Sequence, residues 1–284
     1  MIRFGPAGND LLFYESGFKS SLEAPKWLRE VMGLSAFEVQ WGRGVRLSEI
    51  TAKKMAKEAK KYDIEISAHA PYYINLANND AFENNYRYIS TSLQALKWLG
   101  GTRLVVHLAS QGQLSREVAL ANISENLKKI MQRLEHDGFS QFLLCIETMG
   151  KYRQIGNLEE VAQLSKVHPN IIPCVDFGHL NCLAQGNLDI PSVMEYLEQE
   201  IGLDKLRKLH IHWSAIEFGE AGEKRHTILD DKKWAFSFEP LVQIIKDKNL
   251  SPVIICESSG IMAQDATKLM DTYYRKPVSK LDRK

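Results

Sequence analysis

The sequence lacks the features that mark several classes of protein. No apolar segment approaches the roughly 20 residues needed to cross a bilayer, and the N-terminus MIRFGPAG has neither the charged region nor the apolar core of a signal peptide. No strand-like run is followed by GxGxxG or GxxxxGKS/T, so we expect no nucleotide cofactor. We therefore expect a cytoplasmic protein without a membrane partner.

A strong net charge and paired cysteines are also absent. Lys and Arg number 36 against 35 Asp and Glu, a formal net charge of +1, so the overall charge does not point to nucleic acid, although a local basic rim could still bind a phosphate backbone. The four cysteines form no CxxC pair. Three of them fall inside predicted buried strands, as is typical of reduced packing residues in the cytosol.

What the sequence does contain is a regular alternation of short apolar runs and longer amphipathic runs. Strict alternation predicts right-handed βαβ units and a parallel sheet, and at 284 residues it favours one closed (β/α)8 TIM barrel, a single domain over 1–284. The predicted strands are Ile2–Pro6, Ala36–Trp41, Ile64–Ala70, Arg103–Ala109, Phe142–Thr148, Ile171–Asp176, Lys208–Trp213 and Val253–Ser258. The predicted helices are Leu22–Met32, Leu47–Lys61, Ala81–Leu99, Arg116–Glu135, Leu158–Lys166, Ile190–Glu200, Phe238–Lys248 and Gln264–Tyr274. Ser214–Trp234 is predicted to be a long irregular loop, and Arg275–Lys284 a frayed basic tail.

The predicted strands stop at polar residues that bind metals. Active sites of such barrels form at the carboxyl ends of the strands. The carboxylates of Glu147, Asp176 and Glu257 would repel each other where the strand ends meet at the mouth of the barrel. No strand end supplies Arg or Lys to pair with them, so a metal cation is expected. The nearby imidazoles suit zinc, manganese or iron, and the number of groups favours two or three clustered ions. The candidate ligands are His69, His107, Glu147, Asp176, His179, His210, His212, His226 and Glu257.

At these residues the sequence resembles the endonuclease IV family of AP endonucleases, within the xylose-isomerase-like TIM-barrel superfamily. The resemblance runs from the first predicted strand to the last. It rests on SAHAPYYINLA with His69 and Tyr72, VVHLAS with His107, CIET with Glu147, VDFGHL with Asp176 and His179, RHTIL with His226 and ICESSG with Glu257. On strand 7, His212 matches the family pattern better than His210, which stays an alternative.

The resemblance implies a zinc-dependent hydrolase of DNA repair, with manganese as the alternative metal. Such an enzyme would cleave DNA 5′ to abasic sites, with Glu147 bridging two ions and with Glu147 and Glu257 as the catalytic carboxylates. Tyr72 would lie on the DNA-facing loop. Gln40, which EVQWGRG retains, and Arg43 would contact DNA or another substrate, although Arg43 could equally belong to a solvated rim.

The sequence departs from the family at the third metal. The family has an Asp two residues before the His that matches His226, and Lys224 stands here instead. A third ion would then have only His179, His226 and the neighbouring Glu223 as candidate ligands. Lys224 is expected to offset part of this loss by contacting phosphate.

A metal-dependent sugar isomerase or epimerase of the same superfamily is the alternative. It would hold one metal through Glu147, Asp176, His212 and Glu257, with the two glutamates moving a proton at a sugar carbon. His69, His107 and His226 favour the nuclease, because a one-metal sugar enzyme does not need them as ligands. Lys224 and the near-neutral net charge of +1 favour the sugar enzyme.

Overall fold

The computed structural model describes residues 1–275, and a parallel β-barrel forms its centre. From the second strand onward, each strand pairs in parallel with the next strand in the chain, and the last pairs with the first. Between the first and second strands the barrel is closed by a bridge from Ala7 to Glu38 and by the Ser35 amide, which donates to the Phe4 carbonyl at 3.0 Å. The predicted (β/α)8 barrel is therefore confirmed. The barrel strands are β1 Arg3–Pro6, β2 Ala36–Gln40, β3 Glu65–His69, β4 Arg103–Val106, β5 Leu143–Glu147, β6 Ile171–Asp176, β7 His210–Trp213 and β8 Val253–Cys256.

Helices surround the barrel and pack their apolar faces onto it. Polar caps fix where the longer ones begin: the Ser48 and Ser115 side chains accept from the amides of Thr51 and Val118. The helices are Leu11–Glu15, Ala24–Glu30, Glu49–Lys61, Phe82–Leu99, Arg116–His136, Leu158–Ser165, Phe177–Leu183, Ile190–Ile201, Leu203–Leu206, Glu239–Asp247 and Met262–Tyr274, with 3₁₀ turns at Ser21–Glu23 and Asn79–Ala81. Within residues 1–275, none of them is long and apolar enough to cross a membrane.

The prediction of an irregular loop after β7 is wrong. Ile216–Gly219 and Gly222–His226 form an antiparallel hairpin. Its second strand is mostly polar and lacks the apolar alternation by which strands are recognised in a sequence. Gly222 allows the close approach of the hairpin to the loop after β5, because its φ is +97° and a Cβ there would lie 2.1 Å from the Gly150 carbonyl oxygen.

A short helix, Phe177–Leu183, was also not predicted. It begins directly after β6 because the Asp176 side chain caps it, with Oδ1 accepting from the His179 amide at 2.7 Å. This cap holds the imidazole of His179 beside the end of the strand. The predicted tail at 275–284 lies outside the described residues apart from Arg275.

Candidate metal centre

The predicted ligands converge on Glu147, at the carboxyl end of β5. Glu147 is buried, and its Oε2 lies 3.1 Å from Nε2 of His69 and 3.0 Å from Nε2 of His107. Its Oε1 lies 3.3 Å from Nδ1 of His212 and 3.5 Å from Nδ1 of His179. Imidazoles from four elements therefore surround one carboxylate at the mouth of the barrel.

Among the described residues the side-chain donor atoms form four ligand groups, and within each group they lie within 4.8 Å of one another. One of them, Cys174, His210 and His212, is fully buried, and the other three adjoin at the barrel mouth. Glu147 belongs to two of the groups, so that it could bridge two cations. The Oδ2 atom of Asp176 is buried without a hydrogen-bond partner, which is costly unless a cation satisfies it. Nitrogen and carboxylate donors in this arrangement suit zinc or a similar divalent ion. The first ligand group is His69, His107 and Glu147; the second is Glu147, Asp176, His212 and Glu257; the third is His179, Glu223 and His226.

Three of the imidazoles are held by the ring nitrogen that faces away from their own ligand group. Nδ1 of His69 lies 2.9 Å from the Ala70 carbonyl, and Nδ1 of His179 lies 2.8 Å from that of Thr148. Nδ1 of His226 lies 2.9 Å from the Ser214 hydroxyl. A proton on Nδ1 leaves the Nε2 lone pair free for a metal, as in most metal-binding histidines. The rings are thus oriented for ligation.

A β-bulge brings Glu223 into the third ligand group. Strand side chains alternate in direction, so residues three apart normally face opposite sides. Here Glu217 pairs with Arg225 and Phe218 with Glu223, so Lys224 is an extra residue with no partner on the opposite strand. The extra residue puts Glu223 and His226 on the same face of the strand. The Glu223 carboxylate consequently lies 3.4 Å from Nε2 of His179 and 3.8 Å from Nε2 of His226.

Lys224 does not join the ligand groups. Its ammonium lies 3.6 Å from Glu217, and its side chain is 58% exposed. Glu223, and not Lys224, places a side chain with ligand atoms beside His226, where the family that the sequence resembles has an Asp. The sequence shows Glu223 only as an acid near His226. The bulge that turns its side chain towards His226 cannot be predicted from the residue pattern.

His210 and His212 both point into the barrel, at different depths. Nδ1 of His212 reaches Glu147 and lies 3.6 Å from Glu257, whereas Nε2 of His210 lies 2.9 Å from the buried carboxylate of Glu38. Of the two, His212 is the one near the carboxylates that surround Glu147. The sequence reading missed Glu38, although an acid within the apolar run AFEVQ was a usable signal.

The charges within the centre reinforce one another. Burial would raise the pKa of the Glu147 carboxyl, but His107 and His212 hold it well below its usual range. Burial would lower the pKa of His179, but Asp176 and then Glu223 outweigh it and raise the pKa to about 10. Contact with His179 in turn lowers the pKa of Glu223 to about 2. A cation binding here would have to displace the proton of His179.

The predicted substrate residues divide between two neighbouring cavities. Tyr72 is 58% exposed and lines the metal cavity, of about 410 Å³, with its ring centroid 5.5 Å from that of His69. Gln40 and the exposed Arg43 line an adjacent cavity of about 700 Å³ instead. Among the described residues that line the metal cavity, Lys151 is the one lysine or arginine. The sequence analysis did not single it out.

Comparisons with known proteins fit this architecture. A family model described as a xylose isomerase-like TIM barrel matches residues 26–273. An uncharacterized protein of Methanocaldococcus jannaschii is 33% identical over 96% of this chain and 97% of its own length. A probable endonuclease 4 of Staphylococcus carnosus is 30% identical over 59% of this chain and 58% of its own length.

Two solved structures are similar in fold. A D-tagatose 3-epimerase-like protein superposes with a TM-score of 0.71 at 18% identity, over 96% of this chain and 97% of its own. Endonuclease IV from Thermus thermophilus superposes with a TM-score of 0.68 at 18% identity, over 95% of this chain and 97% of its own. At such identity the likeness shows the fold alone, so the chemistry has to be argued from the site.

Proposed function

The chain belongs to the xylose isomerase-like TIM-barrel family, and we propose that within it this chain is a metal-dependent phosphodiesterase that cleaves DNA 5′ to abasic sites. The observation that carries the proposal is that three ligand groups adjoin at the barrel mouth and two of them share Glu147. A one-metal sugar enzyme needs the second group alone. The first and third groups would then have no metal to hold, although His69, His179 and His226 are oriented for one.

The residues of the site divide the work of phosphodiester cleavage among them. Bound divalent ions would polarise the phosphate and lower the pKa of the attacking water. Glu147 would hold ions of two groups together, and Glu257, which is more exposed at 16% than Glu147 at 1%, faces the cavity and would accept the proton of that water. The ammonium of Lys151 would contact a phosphate oxygen. Tyr72 would pack against the deoxyribose or a neighbouring base.

Incision of an abasic duplex tests the proposal. A 5′-labelled duplex with one abasic site should be nicked to leave 3′-OH and 5′-deoxyribose phosphate ends, with activity abolished by a chelator and restored by zinc. Epimerisation of D-tagatose and D-psicose should be measured on the same preparation. Sugar turnover without incision would contradict the proposal.

The variant His107→Asn separates the two chemistries further. His107 belongs to the first ligand group and lies outside the second. The substitution should therefore strongly reduce incision. In the phosphodiesterase it should also lower the metal content. In a one-metal sugar enzyme the metal content would stay the same, because the substitution removes no ligand of the second group.

The second candidate is the sugar isomerase or epimerase. It is favoured by the second ligand group, which has the three carboxylates and one imidazole such an enzyme uses. Glu147 and Glu257 would then move a proton at a sugar carbon. This candidate gives no reason for Glu223 and His226 to face the same cavity.

A further inference from the structure

Glu38 lies in β2, fully buried beneath the metal centre. Its Oε2 accepts from the Ser67 hydroxyl at 2.8 Å and lies 2.9 Å from Nε2 of His210. Its Oε1 accepts from the Gln40 amide at 3.1 Å and lies 3.1 Å from Nε2 of His212. Ser67, Gln40 and His210 hydrogen-bond to this carboxylate, whereas Nε2 of His212 lies close to Oε1 without a hydrogen bond. None of the four is a lysine or arginine.

His212 is held in the opposite sense from the other oriented imidazoles of the centre. His69, His179 and His226 use Nδ1 for their supporting contact, whereas His212 turns Nε2 towards Glu38. Its Nδ1 accordingly lies among the carboxylate oxygens of the second ligand group. Without a negative charge beside Nε2, the neutral ring could carry its proton on either nitrogen, and only one of these tautomers can bind a metal through Nδ1.

We propose that Glu38 is a positioning residue for His212: its carboxylate, 3.1 Å from Nε2, favours the proton on that nitrogen, so that the Nδ1 lone pair faces the second ligand group. The inference rests on the proposed metal centre and concerns how one ligand of it is oriented. His210 and Ser67 bind the other oxygen of the same carboxylate and fix its plane. A carboxylate behind a metal-binding imidazole also makes the ring a stronger ligand.

The test uses the variant Glu38→Gln in the full chain loaded with zinc. Loss of such a supporting carboxylate typically weakens metal binding by about 10- to 100-fold. We expect a loss of this size for one ion per chain, measured by competition with a chromophoric chelator, while the ion of the third ligand group is retained. Ring ¹⁵N shifts of the metal-free variant should be measured above the pKa of His212, which is raised, despite burial, by neighbouring anionic groups. They should show His212 redistributed between its two tautomers, a change that general destabilisation would not produce.

Ser67→Ala is the matched control, because it removes a donor from Oε2 and leaves the Oε1 contact with His212 in place. It should change zinc affinity by less than about 3-fold, well below the loss expected at the imidazole's partner. Should Glu38→Gln not fold, Glu38→Asp keeps the charge and withdraws the oxygens by one methylene, and it should weaken the same ion.

Unchanged zinc affinity together with unchanged His212 ring shifts in the folded Glu38 variant would overturn the inference. Failure of the proposed function looks different. In that case zinc binds the wild type and weakens in the Glu38 variant, but abasic DNA is not incised by either protein.

Discussion

Replacing Glu147 with Gln removes the carboxylate shared by the first and second ligand groups. Gln fills the same space between the four imidazoles, which lie 3.0, 3.1, 3.3 and 3.5 Å from the Glu147 oxygens. It converts one carboxylate oxygen into an amide nitrogen that cannot bind a cation, and the other into a neutral carbonyl oxygen. Charge-assisted contacts are worth about 1.5–3 kcal/mol each, so weakening one in each group costs up to about 3–6 kcal/mol, or up to about 10²- to 10⁴-fold in combined metal affinity.

Metal content and incision of abasic DNA, measured at fixed free zinc, check this estimate. We expect Glu147→Gln to lose ions of the first two groups and at least about 100-fold of its activity, while far-UV circular dichroism stays unchanged. Glu217→Gln is the control, since Glu217 pairs with Lys224 and Arg225 on the hairpin and belongs to no ligand group. A Glu147→Gln protein with wild-type activity and full metal content would refute the assignment of Glu147 as the bridging ligand.

Three further predictions follow from the third ligand group and its surroundings. Deleting Lys224 removes the bulged residue and leaves Glu223 and His226 on one face of the strand, so the metal content should stay the same. Glu223→Ala should instead lose one ion. Loss of an ion from the deletion variant would contradict the bulge argument. In the metal-free chain, the raised pKa of His179 contributes stability that is complete below pH 6.5 and lost as the pH rises through about 10. The lowered pKa of Glu223 contributes stability that is complete above pH 4.5 and is lost as the pH falls towards about 2. The free energy of unfolding in urea should therefore show a plateau between pH 4.5 and 6.5. A flat profile from pH 6 to 10 would count against the interaction of His179 with Glu223. Lys151→Ala should raise KM for DNA and reduce the salt slope of binding by about 1 without changing metal content, and an unchanged slope would exclude a phosphate contact.

The fold was predictable because its signal is repeated along the whole chain. Apolar runs such as LVV before His107 and LLCI before Glu147 belong to strands buried on both faces, and these read as short continuous apolar stretches. Once the barrel is assumed, the strand ends must meet at one mouth. The convergence of His69, Glu147 and Asp176 follows from topology alone.

The remaining parts depend on local geometry that the residue pattern does not encode. The facing direction of Glu223 depends on a bulge in a polar strand, where no buried face reports the register. Glu38 is not found by a search for polar residues at strand ends, because its strand continues beyond it to Gln40. Lys151 lines the cavity only because its loop is pinned to the hairpin by a bridge to Gly222.

The metal content of the purified chain tests most directly whether the groups around Glu147 act as one centre. Protein equilibrated with zinc, freed of loosely bound metal and measured by mass spectrometry should hold three ions per chain, one for each ligand group around Glu147. His226→Asn should lower this value by one. A single tightly bound ion in the wild type, unaffected by His226→Asn, would contradict the multi-metal phosphodiesterase and favour the sugar enzyme.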